Sequence, residues 1–176
     1  ALEPTYKSEC LEIEDGVLLH ASTTSEIISE IVFIPEGVAE IGREAFKNCD
    51  EGLFKIIFPK GLKKIGVSAF EGCSNLIEFD VKDPDLCYYA AISANDEIDQ
   101  FSNGFSQFPS TLEEIGENAF RSFGDNSHGF GQRLMEYLIL PQSLKKLGKG
   151  AFEDAGIRAI YIAGPQVISE RCFQGG

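Results

Sequence analysis

The sequence predicts a β-rich solenoid, a stack of short coils whose strands join into a parallel sheet. A pattern of twelve residues, P-x-x-[VL]-x-x-[IL]-G-x-x-A-F, occurs four times: PEGVAEIGREAF from Pro35 to Phe46, PKGLKKIGVSAF from Pro59 to Phe70, PSTLEEIGENAF from Pro109 to Phe120 and PQSLKKLGKGAF from Pro141 to Phe152. A second pattern, L-x-x-L-x-L, stands just ahead of the prolines, as in Leu53 to Phe58, Met135 to Leu140 and Ile157 to Ile162. Repetition with a period in the twenties marks an architecture in which each coil buries its apolar edge only by stacking on the next.

The first coil to be defined by its prolines runs 24 residues, from Pro35 to Pro59. The next interval, Pro59 to Pro109, is 50 residues with Pro84 at its midpoint, which predicts two coils, the second of them degenerate near residues 82–107. From Pro109 to Pro141 is 32 residues, and the excess falls in the glycine-rich RSFGDNSHGFGQR, which predicts a loop insertion over 121–133. The chain of 176 residues therefore reads as a single domain, with residues 1–27 as an N-terminal cap and about five to six coils over 28–173.

Within each coil the roles follow from residue type. Alternation along a strand sends Val32 and Ile34, Ile56 and Phe58, Phe79 and Val81, Leu138 and Leu140, and Ile160 and Ile162 inward. The proline ends the strand because it has no N–H for the ladder. The glycine after Ile41, Ile65, Ile115 and Leu147 is expected to permit a turn that other residues resist. The Phe of A-F is expected to fill the coil interior, worth roughly 1.5–3 kcal/mol when fully buried, and its replacement by Ala about 3–5 kcal/mol.

The strand followed by I-G-x-x-A-F-x-x-C, with Cys49 and Cys73 three residues after the motif Phe, resembles the BspA-like leucine-rich repeats of bacterial surface proteins. Asp15-Gly-Val-Leu-Leu19 is similar to a D-G-V-L-Y segment that often precedes a repeat in that family. The resemblance covers roughly Ile28 to Phe173. It implies a leucine-rich repeat solenoid: right-handed β-rich coils, a parallel sheet on the concave face and short helical or 3-10 turns on the convex side. The pattern is lost from Pro84 to Gln107. Near the end, Ile168-Ser-Glu-Arg-Cys172-Phe173 shortens the approach and puts Cys where the motif has Ala. The resemblance further implies an extracellular or cell-surface location, although ALEPTYKSEC has neither the charged nor the apolar region of a signal peptide.

Composition restricts the partners. Fifteen Lys and Arg against 28 Asp and Glu leave a net charge of −13, which opposes non-specific attraction to nucleic acid or anionic lipid, and no apolar run is long enough to insert in a membrane. The five cysteines are an odd count whose spacing follows the repeat, so Cys49, Cys73 and Cys172 read as small buried hydrophobes. Cys10 and Cys87 are left to pair or to stay reduced.

No catalytic or metal constellation stands out, and no cofactor is implied. His20 and His128 have no neighbour at ligand spacing. Ser143 and Lys146 match a bare S-x-x-K, but their counterparts in other coils are Gly37, Gly61 or Thr111, so the match reads as a repeat turn. The acidic run Asp80, Asp83, Asp85, Asp96, Glu97 and Asp99 lacks the spacing of an EF-hand and reads as a solvated face.

The candidate binding site is the row of strand residues pointing away from the core: Phe33, Ile57, Asp80, Ile139 and Tyr161, with Phe54, Ile77 and Tyr137 beside it. Tyr88 and Tyr89 are candidate contacts for a sugar or a peptide from the degenerate coil. An apolar stripe rimmed by charge marks an interaction site. The alternative is a stripe covered by the insert, the glycine-rich loop or a second copy. The expected function is a non-enzymatic protein-interaction module, similar to a surface adhesin that takes a host or microbial surface protein. The alternatives are a structural spacer displaying neighbouring domains of a longer chain, or a glycan-binding module. Lys145-Lys146 and Glu113-Glu114 are expected to pair across adjacent coils, for roughly 0–1 kcal/mol.

Overall fold

The structure, a computed structural model, describes residues 11–21, 31–49, 55–73, 76, 78–81, 105–122 and 135–162. The strands are β1 (Leu11–Glu14), β2 (Val17–Ala21), β3 (Ile31–Phe33), β4 (Glu40–Ile41), β5 (Lys55–Phe58), β6 (Lys64–Ile65), β7 (Glu78–Val81), β8 (Phe105–Gln107), β9 (Glu114–Ile115), β10 (Met135–Leu140), β11 (Lys146–Leu147) and β12 (Ile157–Ile162). β1 and β2 form an antiparallel hairpin through Asp15 and Gly16, both at positive φ (51° and 78°). The remaining strand pairs are parallel, as stacked coils require.

Each regular coil contributes two strands. The first ends at the proline, and its alternate side chains point inward. Val32, Ile34, Ile56, Phe58, Phe79, Val81, Leu138 and Leu140 are all buried, as the alternation predicts, while Ile160 on the edge strand β12 is half-buried. The turn after the proline is closed by an N–H that reaches back to the proline carbonyl, from Val38, Leu62, Leu112 and Leu144 at 3.1–3.4 Å. Two chemistries build this turn. Gly37 and Gly61 take φ of 95° and 101°. Thr111 and Ser143 stand in the same place without positive φ, and their hydroxyls donate to the carbonyls of Leu62 and Leu112 in the preceding coil (2.7 and 2.6 Å).

The second strands join the hairpin in a six-stranded sheet of order β1-β2-β4-β6-β9-β11. Ile41, Ile65, Ile115 and Leu147 stand in one line on its inner side, each fully buried. The glycines that follow them correct the expectation from sequence. Gly42, Gly66, Gly116 and Gly148 do not have left-handed φ, so their turns do not require glycine. A Cβ at Gly66 would lie 2.9 Å from Arg43 N and Ile41 O, one at Gly116 2.7 Å from Val67 N, and one at Gly148 would strike Glu117 N. The motif glycine is there because successive backbones pack against each other with no room for a side chain.

Inside the stack the motif phenylalanines form a continuous pile. Phe46 on Phe70, Phe70 on Phe120 and Phe120 on Phe152 lie at centroid distances of 4.9, 5.1 and 5.3 Å, with ring planes within 8° of parallel. The turns that carry them were expected to be helical or 3-10, and among the described residues they are neither. The residue two before each Phe (Glu44, Ser68, Asn118, Gly150) and the residue two after it (Asn48, Gly72, Ser122, Asp154) have φ between 54° and 78°. A left-handed residue at both places stops a helix from propagating. The backbone hydrogen bonds alternate instead: Ala45, Lys47 and Cys49 donate within the turn to Gly42, Glu44 and Phe46, and the N–H groups between them donate from coil to coil, as from Phe46 N–H to the Ala69 carbonyl and from Phe70 N–H to that of Ala119 (2.7 Å each). Cys49 and Cys73 are buried free thiols, and the Cys73 thiol donates to the Phe46 carbonyl (2.9 Å). Cys10, Cys87 and Cys172 lie outside the described residues.

The first strands form two three-stranded sheets, β3-β5-β7 and β8-β10-β12. At their meeting, the Phe79 N–H of β7 donates to Ser106 Oγ (3.0 Å), a side-chain bond in place of a ladder. On the opposite side β6 pairs directly with β9, and Ser68, Phe70 and Gly72 donate straight to Glu117, Ala119 and Arg121. Among the described residues the interval from Pro59 to Pro109 thus places an extra strand, β7, on one side of the stack, while on the other β6 and β9 are direct neighbours. Phe79 fills the resulting wedge, with its ring 5.6 Å from Phe58, 5.4 Å from Phe108 and 5.0 Å from Phe120. Residues 82–104 and 123–134, which hold most of the expected degenerate coil and loop insertion, lie outside the described residues. No helix among the described residues is long and apolar enough to cross a membrane.

Candidate functional site

Strand register places the outward row. Phe33, Ile57 and Asp80 stand side by side on β3, β5 and β7, and Gln107, Ile139 and Tyr161 on β8, β10 and β12. The row is therefore two segments of three, divided at the β7–β8 seam. Phe54, Ile77, Tyr88 and Tyr89 lie outside the described residues.

The segment on β8, β10 and β12 is the more open. Tyr161 is 53% exposed, and Ile139 beside it and Tyr137 two positions earlier are half-buried. The Tyr137 and Tyr161 rings meet at 5.8 Å with planes inclined by 43°. They approach diagonally, because Tyr137 is in register with Ala159, whose methyl group leaves the space between them open. The result is two phenol rings and an aliphatic side chain on the rigid backbone of three parallel strands.

The segment on β3, β5 and β7 departs from the sequence reading. Asp80 was expected on a solvated acidic face, yet it is 5% exposed and its Oδ2 lies 3.3 Å from Lys55 Nζ. Lys55 also reaches Glu78 Oε1 at 3.5 Å. Lys55 and Glu78 are in register on adjacent strands, and Glu78 and Asp80 share a face because they are two apart. Burial pushes the Asp80 carboxyl up to about 7, against the pull of Lys55 and with the help of Glu78. Asp80 Oδ1 is buried with no hydrogen-bond partner. Sequence reasoning missed Lys55 and Glu78. Their signal was a Lys and a Glu at matching places before Phe58 and Val81, legible only with the register in hand.

The remaining candidates resolve into structure. Ser143 Oγ donates to a backbone carbonyl and Lys146 lies 3.3 Å from Glu114, so the S-x-x-K pair makes no nucleophile and base. His20 is exposed on β2. Among the described residues no three His, Cys, Asp or Glu side chains converge as a metal site.

A family model described as BspA type Leucine rich repeat region matches residues 22–127 and 101–176, with six copies. No curated protein sequence matches the chain. Among solved structures, the fold is similar to the leucine-rich repeat protein TpLRR of T. pallidum, with 19% identity over 88% of this chain and 69% of that one and a TM-score of 0.53. It is also similar to the pneumococcal vaccine antigen PcpA, with 21% identity, a TM-score of 0.57 and coverage of 85% of this chain and 28% of that one. A leucine-rich cell surface protein of Faecalibacterium prausnitzii shares 15% identity at a TM-score of 0.50, over 83% of this chain and 38% of its own. The chain thus spans well under half the length of the latter two.

Proposed function

The chain belongs to the BspA-type leucine-rich repeat family, and from that premise we propose that it is a non-enzymatic protein-interaction module displayed at a bacterial cell surface, where it works as an adhesin. The reading is carried by one observation, the Tyr137–Tyr161 pair beside Ile139 on the outward side of β10 and β12. Tyrosines held on a sheet lose little conformational entropy on binding, and each presents an apolar face together with a hydroxyl, which is why they dominate binding energy at protein interfaces. The partner is a host or microbial surface protein that buries this patch. Support for the location comes from the structural neighbours, one described as a cell surface protein and one as a vaccine antigen.

The test is capture from panels of matrix and cell-surface proteins by the immobilised chain and by a variant with Tyr137→Ser, Ile139→Ser and Tyr161→Ser. The variant is expected to lose capture by tenfold or more, since a tyrosine hot spot is worth about 2 kcal/mol or more, with an unchanged circular dichroism spectrum. Undiminished capture by the variant rules out the site. A wild-type chain that takes nothing from the protein panels is a spacer for neighbouring domains, and one that takes only glycans is a lectin-like module.

A further inference from the structure

The second strands of the coils carry their charges in stripes. Between the two inward residues of each, as between Leu62 and Ile65, two residues face outward, and in the order of the sheet these pairs are Ala39-Glu40, Lys63-Lys64, Glu113-Glu114 and Lys145-Lys146. The stripes at β4, β6, β9 and β11 are thus acidic, basic, acidic and basic. Ion pairs between neighbouring stripes do not use these charges up, since the Lys145 and Lys146 side chains are 75% and 68% exposed while they pair. The face holds four lysines against three glutamates, in a chain whose net charge is −13. Two copies of so acidic a chain repel on the whole, and on this face they meet with no excess of negative charge.

We propose that this striped face docks on the same face of a second copy of the chain, the two stacks running antiparallel. An even number of alternating stripes is complementary to its own reverse. Turning one copy end over end sets Lys63 and Lys64 against Glu113 and Glu114 of the other copy, and Glu40 against its Lys145 and Lys146. A two-fold axis repeats both meetings, as a closed dimer requires. Stacks laid in the same direction bring like charges together, and a shift by one coil matches fewer stripes and leaves the contact open to further growth. Exposed charges orient partners more than they hold them, so the dimer is weak and salt-sensitive. The Tyr137–Tyr161 pair lies on a different sheet, so each dimer carries two such patches. Two-point attachment through them rests on the tyrosine patch being the binding site; the dimer itself does not.

The experiment is sedimentation equilibrium of the full chain and of two charge-reversed variants, Lys63→Glu with Lys64→Glu and Glu113→Lys with Glu114→Lys. The wild type is expected to dimerise at about 0.15 M NaCl, where distant charges are screened and touching ones are not, with a dissociation constant below about 1 mM. At about 1 M NaCl the dimer is expected to weaken by about tenfold or more. Each variant alone sets carboxylate against carboxylate or ammonium against ammonium and is expected to be monomeric. An equimolar mixture of the two restores every opposite pairing and is expected to give the heterodimer. Circular dichroism shows whether the variants are folded, and if either is not, the salt dependence of the wild type decides the matter. A wild type that stays monomeric, leaving the face to solvent or to another protein, overturns the proposal. So does a dimer unmoved by salt or by the variants, or a mixture of folded variants that stays monomeric.

Discussion

Lys64 on β6 lies directly across the ladder from Glu114 on β9, and the two side chains meet at 3.8 Å. Lys64 also reaches Glu40 (3.6 Å), and Glu114 reaches Lys146 (3.3 Å), so charges alternate along four successive strands. The neighbouring row adds Lys145 Nζ on Glu113 Oε1 at 3.0 Å, a contact that holds the Glu113 carboxyl below its ordinary range. Spacing along the chain paired only Glu113-Glu114 with Lys145-Lys146. The pairing of Lys64 with Glu114 depends on β7 having no counterpart in the six-stranded sheet.

Reversing the central charge tests this arrangement. Lys64→Glu lines up carboxylates at 40, 64 and 114, and is expected to destabilise the fold by about 1 kcal/mol or less, because the side chains are partly exposed. The difference from the wild type should shrink on going from about 0.05 M to about 1 M NaCl, read from denaturation midpoints. A difference indifferent to salt would mean that the ladder contributes nothing through charge.

Gly116→Ala separates the two accounts of the motif glycine. If the residue served a left-handed turn, its φ would show it; at an ordinary φ, Ala in place of Gly is neutral or stabilises by about 0.4–1 kcal/mol. Close packing against Val67 N and Gly66 C predicts the opposite, a loss of about 1–3 kcal/mol with a lower melting temperature. The backbone atoms that a Cβ would meet cannot rotate away, which places the expected loss toward the upper end.

Ser106→Ala examines the seam. Ser106 is 2% exposed and occupies the inward place that Leu138 fills in the next strand. Removing its hydroxyl deletes the bond from Phe79 N–H and is expected to cost about 1–3 kcal/mol. Hydrogen exchange at the Phe79 amide should accelerate more than at Ile57, which lies within the β3-β5-β7 ladder. Equal acceleration at both would show general loosening rather than a local bond.

The regular coils were legible from residue type because each motif position does one local job. Phe46, Phe70, Phe120 and Phe152 are buried and stacked, and the inward members of the strand pattern from Val32 to Leu140 are buried as alternation requires, with Ile160 on the edge strand half-buried. The candidate site was less so. Its row exists in register, but the sequence did not show that it divides at β7, that Asp80 is buried, or that Lys55 and Glu78 join it. Burial of a charged residue depends on what packs over it, and neither charge nor period carries that information.

By itself the sequence determined the repeat, the coil interior and the strand residues that face away from it, since these follow from side-chain volume, alternation and the missing N–H of proline. Which coils touch was decided only in three dimensions. A strand is free to join one side of the stack and skip the other, and that choice belongs to packing between segments distant in the chain. It set Lys64 beside Glu114, Phe79 among Phe58, Phe108 and Phe120, and Lys55 against two carboxyls.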